Sequence, residues 1–223
     1  LSVKEYGFGS LTLTATLTGF GGEPALAPRP GGAEAHPLVV GSRDEPMAFS
    51  VDNVAFNPVK IRSVRVEGTN PFDFQIGTDE CTGRRVDAGA ACNLEVVFAP
   101  TGAGRRTASV VVTTIDGAYT TFLVSGDAHY EPKLAASNTT VVAPAQVTIV
   151  GAGFAPKTQV TLTWADGAGR PITVVTDDAG GLLANLVLRP NDRGGNRTVV
   201  AQTLDGQVAS TEVMVIVPRR DRG

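Results

Sequence analysis

The chain has few of the side chains on which catalytic and metal sites usually depend. Its 223 residues include only two cysteines, two histidines and one tryptophan, and 18% of them are charged. Neither His36 nor His129 has a carboxylate or a nucleophile at a recognised motif spacing. Two thiols alone do not complete a zinc site, which needs four ligands. We therefore expect no enzyme activity, no cofactor and no metal site.

Strong charge and long apolar runs are also absent. The net charge is −3, so no overall positive field draws the chain to nucleic acid or to an anionic membrane. No apolar run approaches the roughly 20 residues that span a bilayer. We expect neither a nucleic-acid partner nor membrane insertion.

Glycine, proline and alternating patterns are abundant instead. The chain has 26 glycines and 14 prolines, and 42% of its residues are hydrophobic. Short alternating segments separated by turn residues are typical of β-sandwiches, and this length allows two modules of about a hundred residues each. The sequence predicts an all-β fold with tandem immunoglobulin-like β-sandwiches and a partial N-terminal strand segment.

The N-terminal segment, residues 1–22, alternates strictly between apolar and threonine positions. Leu11, Leu13 and Leu17 share one face of a predicted strand at 10–19. The segment is too short for a module, so we expect it to be the terminal strands of a partial module or a donor strand that an identical subunit accepts. The proline-rich residues 23–37 are predicted to be a linker.

Residues 38–128 are predicted to form the first sandwich. Its strands are expected near 47–54, 59–67, 92–99, 106–114 and 119–125. Asp116-Gly117 predicts a two-residue hairpin turn between the last two strands.

A hinge at 129–131 is expected to lead into a second sandwich at 132–218, followed by a tail at 219–223. Seven strands are predicted for this sandwich, near 139–142, 146–151, 158–164, 171–176, 182–188, 196–203 and 208–217. Glycine, aspartate or proline occupies each intervening turn.

Short motifs in the first module follow one another in a characteristic order. They occupy 40–42, 49–53, 61–68, 73–74, 81–83, 88–92, 96–100 and 124–126. Their order and spacing resemble the bacterial domain shared with abnormal-spindle, SPD-2 and hydin proteins, often found in repeats called choice-of-anchor D. The resemblance departs at Asn57-Pro58, and it implies a scaffolding or binding role without a shared active site. Residues 132–217 look more loosely like a bacterial immunoglobulin-like or IPT/TIG module, through the motifs at 147–156, 160–164 and 177–180.

In the resembling repeats, the positions of Cys81 and Cys92 commonly pair. These are the only two cysteines, and the glycine-containing loop between them can fold back. We therefore predict a disulfide, which favours an oxidising compartment.

Other candidate residues have both a structural and a functional interpretation. Trp164 is a candidate glycan contact, although a core tryptophan is the commoner outcome. Asp177, Asp178 and Asp192 could converge for hydrolysis, but acidic residues of glycine-rich turns are usually turn formers. The pairs Asp177-Asp178 and Asp44-Glu45 could bind calcium, but neither belongs to an alternating Asp/Asn ligand run. The pairs Arg84-Arg85 and Arg105-Arg106 fit solvated loop charges better than a basic binding face.

The favoured function is a structural or adhesive segment, not an enzyme, of an extracellular bacterial surface protein, a filament or a phage appendage. Its expected partners are neighbouring modules or identical subunits, with a surface glycan as a further candidate. Its expected location is extracellular, on a cell or virion surface. Two alternatives stay open: a carbohydrate- or protein-binding module that accompanies a secreted enzyme, and an intracellular scaffold domain. The predicted disulfide argues against the scaffold.

Overall fold

The computed structural model describes residues 25–190 and 192–218, and in these ranges eighteen strands form the fold. The strands of the first module are β1 (Leu26–Arg29), β2 (Gly32–Glu34), β3 (Leu38–Val39), β4 (Met47–Asn53), β5 (Val59–Glu67), β6 (Phe74–Asp79), β7 (Arg85–Val86), β8 (Ala91–Phe98), β9 (Gly104–Thr114) and β10 (Tyr119–His129). Those of the second are β11 (Lys133–Ala136), β12 (Thr140–Val142), β13 (Ala145–Ala152), β14 (Gln159–Trp164), β15 (Ile172–Val175), β16 (Leu182–Leu188), β17 (Gly195–Thr203) and β18 (Val208–Ile216). A short 3-10 turn, Pro71–Asp73, precedes β6.

The first module consists of two sheets. One has the order β1-β4-β8-β6, and the other has the order β2-β10-β9-β5-β7 with β3 also beside β10. Every pairing is antiparallel except those of β2 and β3 with β10. Alternate residues of β9 are buried from Ala108 onward, as expected for a strand with one face on the core.

The second module repeats this arrangement with one strand fewer in each of its two sheets. Its sheets have the orders β11-β13-β16 and β12-β18-β17-β14-β15, and only the β12–β18 pairing is parallel. The predicted all-β fold with tandem immunoglobulin-like sandwiches is confirmed. The partial N-terminal strand segment, 1–22, lies outside the described residues, as does the predicted tail.

The predicted linker at 23–37 is wrong for the residues that form β1 and β2. β1 pairs with β4 of one sheet, and β2 pairs with β10 of the other, so the chain changes sheets at Pro30-Gly31. Proline and glycine mark the bend between the sheets and do not indicate a free linker. β11 and β12 change sheets in the same way in the second module.

The hairpin after β9 is confirmed, but its loop is one residue longer than predicted. The Thr114 N–H donates to the Ala118 carbonyl, and the Gly117 N–H donates to the Thr114 carbonyl, at 2.8 and 3.2 Å. Gly117 has φ +91°, which suits a three-residue loop whose last residue is left-handed. The Thr114 hydroxyl bonds to Asp116 and the Ala118 carbonyl, which fixes the wider turn.

The buried apolar side chains fall into two clusters. One extends from Leu26 to Ala128 and the other from Val141 to Val215. The first contains the ring pairs Phe49–Phe122 and Phe74–Phe98, with centroids 4.4 and 5.0 Å apart. The predicted hinge begins one residue early, because His129 is still part of β10.

Candidate functional site

The predicted disulfide between Cys81 and Cys92 is present. The sulfur atoms are 2.02 Å apart, and both residues are fully buried. Cys81 lies just after β6 and Cys92 lies in β8, so the bond fastens the end of β6 to its neighbour. Asp79 Oδ1 accepts the Cys81 N–H at 2.8 Å and the Thr82 N–H at 2.9 Å. Burial would raise the pKa of Asp79, but the hydrogen bonds from Thr82 and Cys81 outweigh it and lower the pKa.

A buried carboxylate, Asp73, organises one end of the first module. Its side chain is 1% exposed. Asp73 Oδ1 accepts the Thr101 N–H at 2.9 Å and the Thr101 hydroxyl at 2.6 Å, while Oδ2 pairs with the Arg106 guanidinium. Burial would raise the pKa of Asp73, but these hydrogen bonds and the Arg106 charge lower it below its ordinary value. Asp73 belongs to the short motif at 73–74, but no spacing rule links it to Thr101 or Arg106.

The arginines predicted to be solvated loop charges at 105 and 106 are instead structural. Both lie in β9, where Arg106 pairs with Asp73. Arg105 pairs with Glu34 of β2 and, at 2.7 Å, with Asp127 of β10. The interpretation was therefore wrong about the loop position of both residues and about the solvation of Arg106, whereas the Arg105 side chain is 47% exposed.

Trp164 is part of a stacked cluster inside the second module. Trp164 is 3% exposed, and the Arg197 guanidinium carbon lies 4.3 Å from its ring centroid. Arg197 Nε and Nη2 donate to Asp166 Oδ2 and Oδ1, both at 3.0 Å. The Arg197 hydrogen bonds lower the pKa of Asp166 more than its slight burial raises it. A cation–π contact and a bidentate ion pair thus hold one guanidinium.

The candidate glycan contact at Trp164 is corrected by this geometry. Sugar recognition by stacking requires an accessible indole face, but the core and Arg197 cover this one. Part of the residue lines a shallow cleft of about 310 Å³ beside Arg170 and Arg189. The alternative interpretation, a core tryptophan, describes the position of Trp164.

The acidic turn residues do not converge. Asp177 Oδ1 accepts the N–H groups of Ala179 and Gly181 at 2.9 and 2.7 Å, so Asp177 caps its own turn before β16. Asp178 pairs with Lys157 at 2.6 Å. Asp192 follows β16 at the strand's other end, where it accepts the Arg189 N–H. In the described ranges, no group of three or more His, Cys, Asp or Glu side chains is placed to hold a metal ion.

One histidine has a carboxylate partner that its sequence context does not indicate. His36 Nδ1 lies 3.2 Å from Asp44 Oδ1, and the His36 backbone N–H donates to Asp44 Oδ2 at 2.8 Å. Burial would raise the pKa of Asp44, but hydrogen bonds from the backbone N–H groups of His36 and Glu45 and from the His36 ring lower it. The pair fastens the segment after β2 to the turn before β4.

A cleft of about 440 Å³ lies between the modules. Gly41 and Thr101 line it from the first module, Phe154 and Asp178 from the second, and Tyr130 from the connection. Asp178 is already paired with Lys157. The cleft therefore offers mainly apolar and backbone surface, which suits module-to-module contact.

The candidate strand donor, Leu11, Leu13 and Leu17, lies outside the described residues. No helix in the part of the chain that the structure describes is long and apolar enough to cross a membrane.

Comparison with known protein families finds no match to this chain, and no curated protein matches it. Several solved structures are similar to it. The secreted serine protease VesC from Vibrio cholerae is 13% identical, with a TM-score of 0.34, and the match covers 68% of this chain and 42% of VesC. The ASH/PapD-like domain 7 of human CEP192 is 12% identical, with a TM-score of 0.36, and the match covers 53% of this chain and 96% of that domain. The adhesin InvE of Yersinia pseudotuberculosis is 20% identical, with a TM-score of 0.34, and the match covers 85% of this chain and 58% of InvE.

These comparisons contradict one prediction and support another only for the fold. The expectation that the chain is not an enzyme is contradicted, because a secreted serine protease is among the similar structures. The chain spans less than half of that protease. The specific relationship of residues 39–128 to the abnormal-spindle, SPD-2 and hydin domain is not confirmed, whereas the immunoglobulin-like fold is.

Proposed function

We propose that the chain is a structural or adhesive segment of an extracellular bacterial surface protein. The observation that carries this proposal is that the side chains most suited to chemistry make contacts inside the fold. The cysteines are joined, Trp164 is stacked under Arg197, and Asp73 is saturated by Thr101 and Arg106. These contacts stiffen two sandwiches that follow each other along the chain.

An extracellular location is supported by the disulfide. A buried Cys81–Cys92 bond stabilises the first module only where thiols are oxidised. Two rigid sandwiches joined by the short connection after β10 would act as a spacer or as a platform for adhesive loops. Neighbouring modules or identical subunits are the proposed partners.

The location can be tested on the source bacterium. Antibodies against the chain should label intact cells, and a protease added outside should remove the signal. Acid added at recovery stops thiol–disulfide exchange, and the chain recovered in this way should contain no free thiol. Labelling only after lysis, together with two free thiols, would overturn the extracellular proposal.

The adhesive role needs a separate measurement. Purified chain added in excess should compete with attachment of the same bacterium to its substratum. The matched control is the same chain after reduction and unfolding, with Cys81 and Cys92 alkylated so that the disulfide cannot form again. Equal attachment with both proteins would leave a purely structural role as the better explanation.

A further inference from the structure

The free edges of the four sheets differ in their protection against pairing with another chain. An edge strand presents unpaired backbone N–H and C=O groups, and natural proteins shield it with short length, proline, charge or bulges. In the first module, β1 has only four residues, and one of them is Pro28. The strands β2, β3 and β7 have two or three residues each. The pairing of β6 has a register shift between Ile76 and Asp79. In the second, β11, β12 and β15 have four residues or fewer. Each of these edges therefore has at least one feature that hinders pairing with another chain.

The edge of β16 has none of these features. It comprises seven residues, Leu-Leu-Ala-Asn-Leu-Val-Leu, with no proline, glycine or charge. Its pairing with β13 runs without a register shift from Leu182 to Leu188. Among residues 25–190 and 192–218, β13 is the only strand that pairs with it. Leu183 and Val187 on its outer face are 64% and 60% exposed.

The first module shows how such an edge is covered. By position in the sheet order, β8 corresponds to β16, and β4 corresponds to β13. The outer edge of β8 is paired with β6, and the Cys81–Cys92 bond fastens the end of β6 there. The described part of the second module has no strand at this position. The backbone groups on this edge of β16 therefore have no strand partner in the described residues, although β15 of the other sheet approaches β16.

We propose that the open edge of β16 pairs antiparallel with β16 of a second copy of this chain, about a two-fold axis at Asn185. This register pairs all seven residues. It places Leu183 opposite Val187 on the outer face of the sheet. On the other face, the core-facing residues of one β16 lie opposite the core-facing residues of the partner's β16. A shift by two residues would leave fewer pairs, and a shift by one would place core-facing residues opposite outward-facing ones.

The chemistry of β16 suits an identical partner. The strand itself carries no charge, and the charged side chains beside it are Arg170 and Arg189, which line a cleft with Leu186 and Val187. Asn185 Oδ1 accepts the Thr148 hydroxyl at 2.8 Å, and its amide group donates to no atom of the described residues. On the two-fold axis, each Asn185 amide can donate to its symmetry mate. The resulting contact is isologous and joins two three-stranded sheets into one of six strands.

This inference depends only on the geometry of the second module and stands apart from the proposed function. The test introduces charged residues at positions that the proposed register places opposite each other. The dimer dissociation constant of the full chain is then measured by analytical ultracentrifugation. The wild-type chain should dimerise. L183K/V187K places lysine opposite lysine and should raise the dimer dissociation constant by about tenfold or more. L183K/V187E places lysine opposite glutamate at both positions and should restore dimerisation toward the wild-type level.

Two controls separate pairing from folding. L204K/V208K adds the same charge at exposed positions outside both β16 and β15, and it should dimerise like the wild type. The thermal transition reported by Trp164 fluorescence should remain in all variants. If L183K/V187K lost this transition, hydrogen exchange of the wild-type chain would decide, because the amides of β16 should become more protected as protein concentration rises.

Several outcomes would overturn the proposal. A wild-type chain that stays monomeric at high concentration would do so, as would a dimer that L183K/V187K leaves unchanged. Equal loss of dimerisation in both β16 variants would exclude the Asn185 register. Deletion of residues 1–24 should leave the dimer intact. If it abolishes the dimer, this segment mediates the association and pairing of two β16 strands does not.

Discussion

The two modules have corresponding strand orders apart from β3 and β6, but they bury charges of opposite sign. The first buries the Asp73 carboxylate and keeps its partner Arg106 nearer the surface. The second buries the Arg197 guanidinium and keeps Asp166 nearer the surface. Either sign is tolerated because each buried charge has directed hydrogen bonds, without which its burial would be costly.

The two buried charges differ in how completely they are satisfied. Both oxygens of Asp73 have partners. Arg197 Nη1 has no hydrogen-bond partner in the described residues and lies 3.9 Å from Asp192 Oδ2. The face of Trp164 compensates for part of this deficit. We infer that the stability of the second module depends on the contact between Arg197 and Trp164. The stability of the first module depends on the disulfide and on the Asp73 carboxylate.

The largest expected effect is that of Trp164→Ala on the second module. Removing a buried indole leaves a cavity and uncovers Arg197, and we expect a loss of about 4 kcal/mol of unfolding free energy. Calorimetry of the full chain should show one transition lowered and the other unchanged. Phe56→Ala, at a side chain that is 95% exposed, is the matched control and should change neither transition. Equal shifts of both transitions would show that the modules unfold as one unit.

The double variant Cys81→Ser/Cys92→Ser should affect only the first module. Opening this loop should cost about 3 kcal/mol, because the disulfide limits the freedom of the unfolded chain. Trp164 lies in the second module, so its fluorescence reports that module alone. Circular dichroism should show an earlier transition while the fluorescence midpoint stays constant. A fluorescence midpoint that shifts equally would refute this separation.

Asp73→Asn should destabilise the first module by about 2 kcal/mol, since the ion pair with Arg106 is lost while the size of the side chain is kept. The pKa of Asp73 is lowered in the folded state, so its contribution is present above the unfolded pKa of about 4 and is lost as pH falls through the folded pKa. The variant should therefore lose less stability on acidification than the wild type. Urea unfolding at several pH values measures this difference. Parallel pH curves for the two proteins would contradict it.

The sequence predicted the strands with regular alternation and missed those that depend on their surroundings. β5 and β16 lie at their predicted positions, 59–67 and 182–188. β6 was missed because Gly77 and a register shift interrupt it, and β7 because two residues carry no periodicity. The disulfide followed from the cysteine count together with a family resemblance. The contacts of Asp73 and Arg197 could not be predicted, because strand pairing alone brings their partners near.

The smallest expected effect concerns a feature that the modules share, the turn after β9 and after β17. Thr114 and Thr203 each bond to an aspartate two residues later, and Gly117 and Gly206 both have φ +91°. Alanine at either glycine should cost about 1 kcal/mol, because a Cβ disfavours the left-handed region. Asparagine tolerates this region better and should cost less. Urea unfolding should show similar losses for Gly117→Ala in the first module and Gly206→Ala in the second. A large cost in only one module would mean that packing around that turn, and not its backbone conformation, determines its stability.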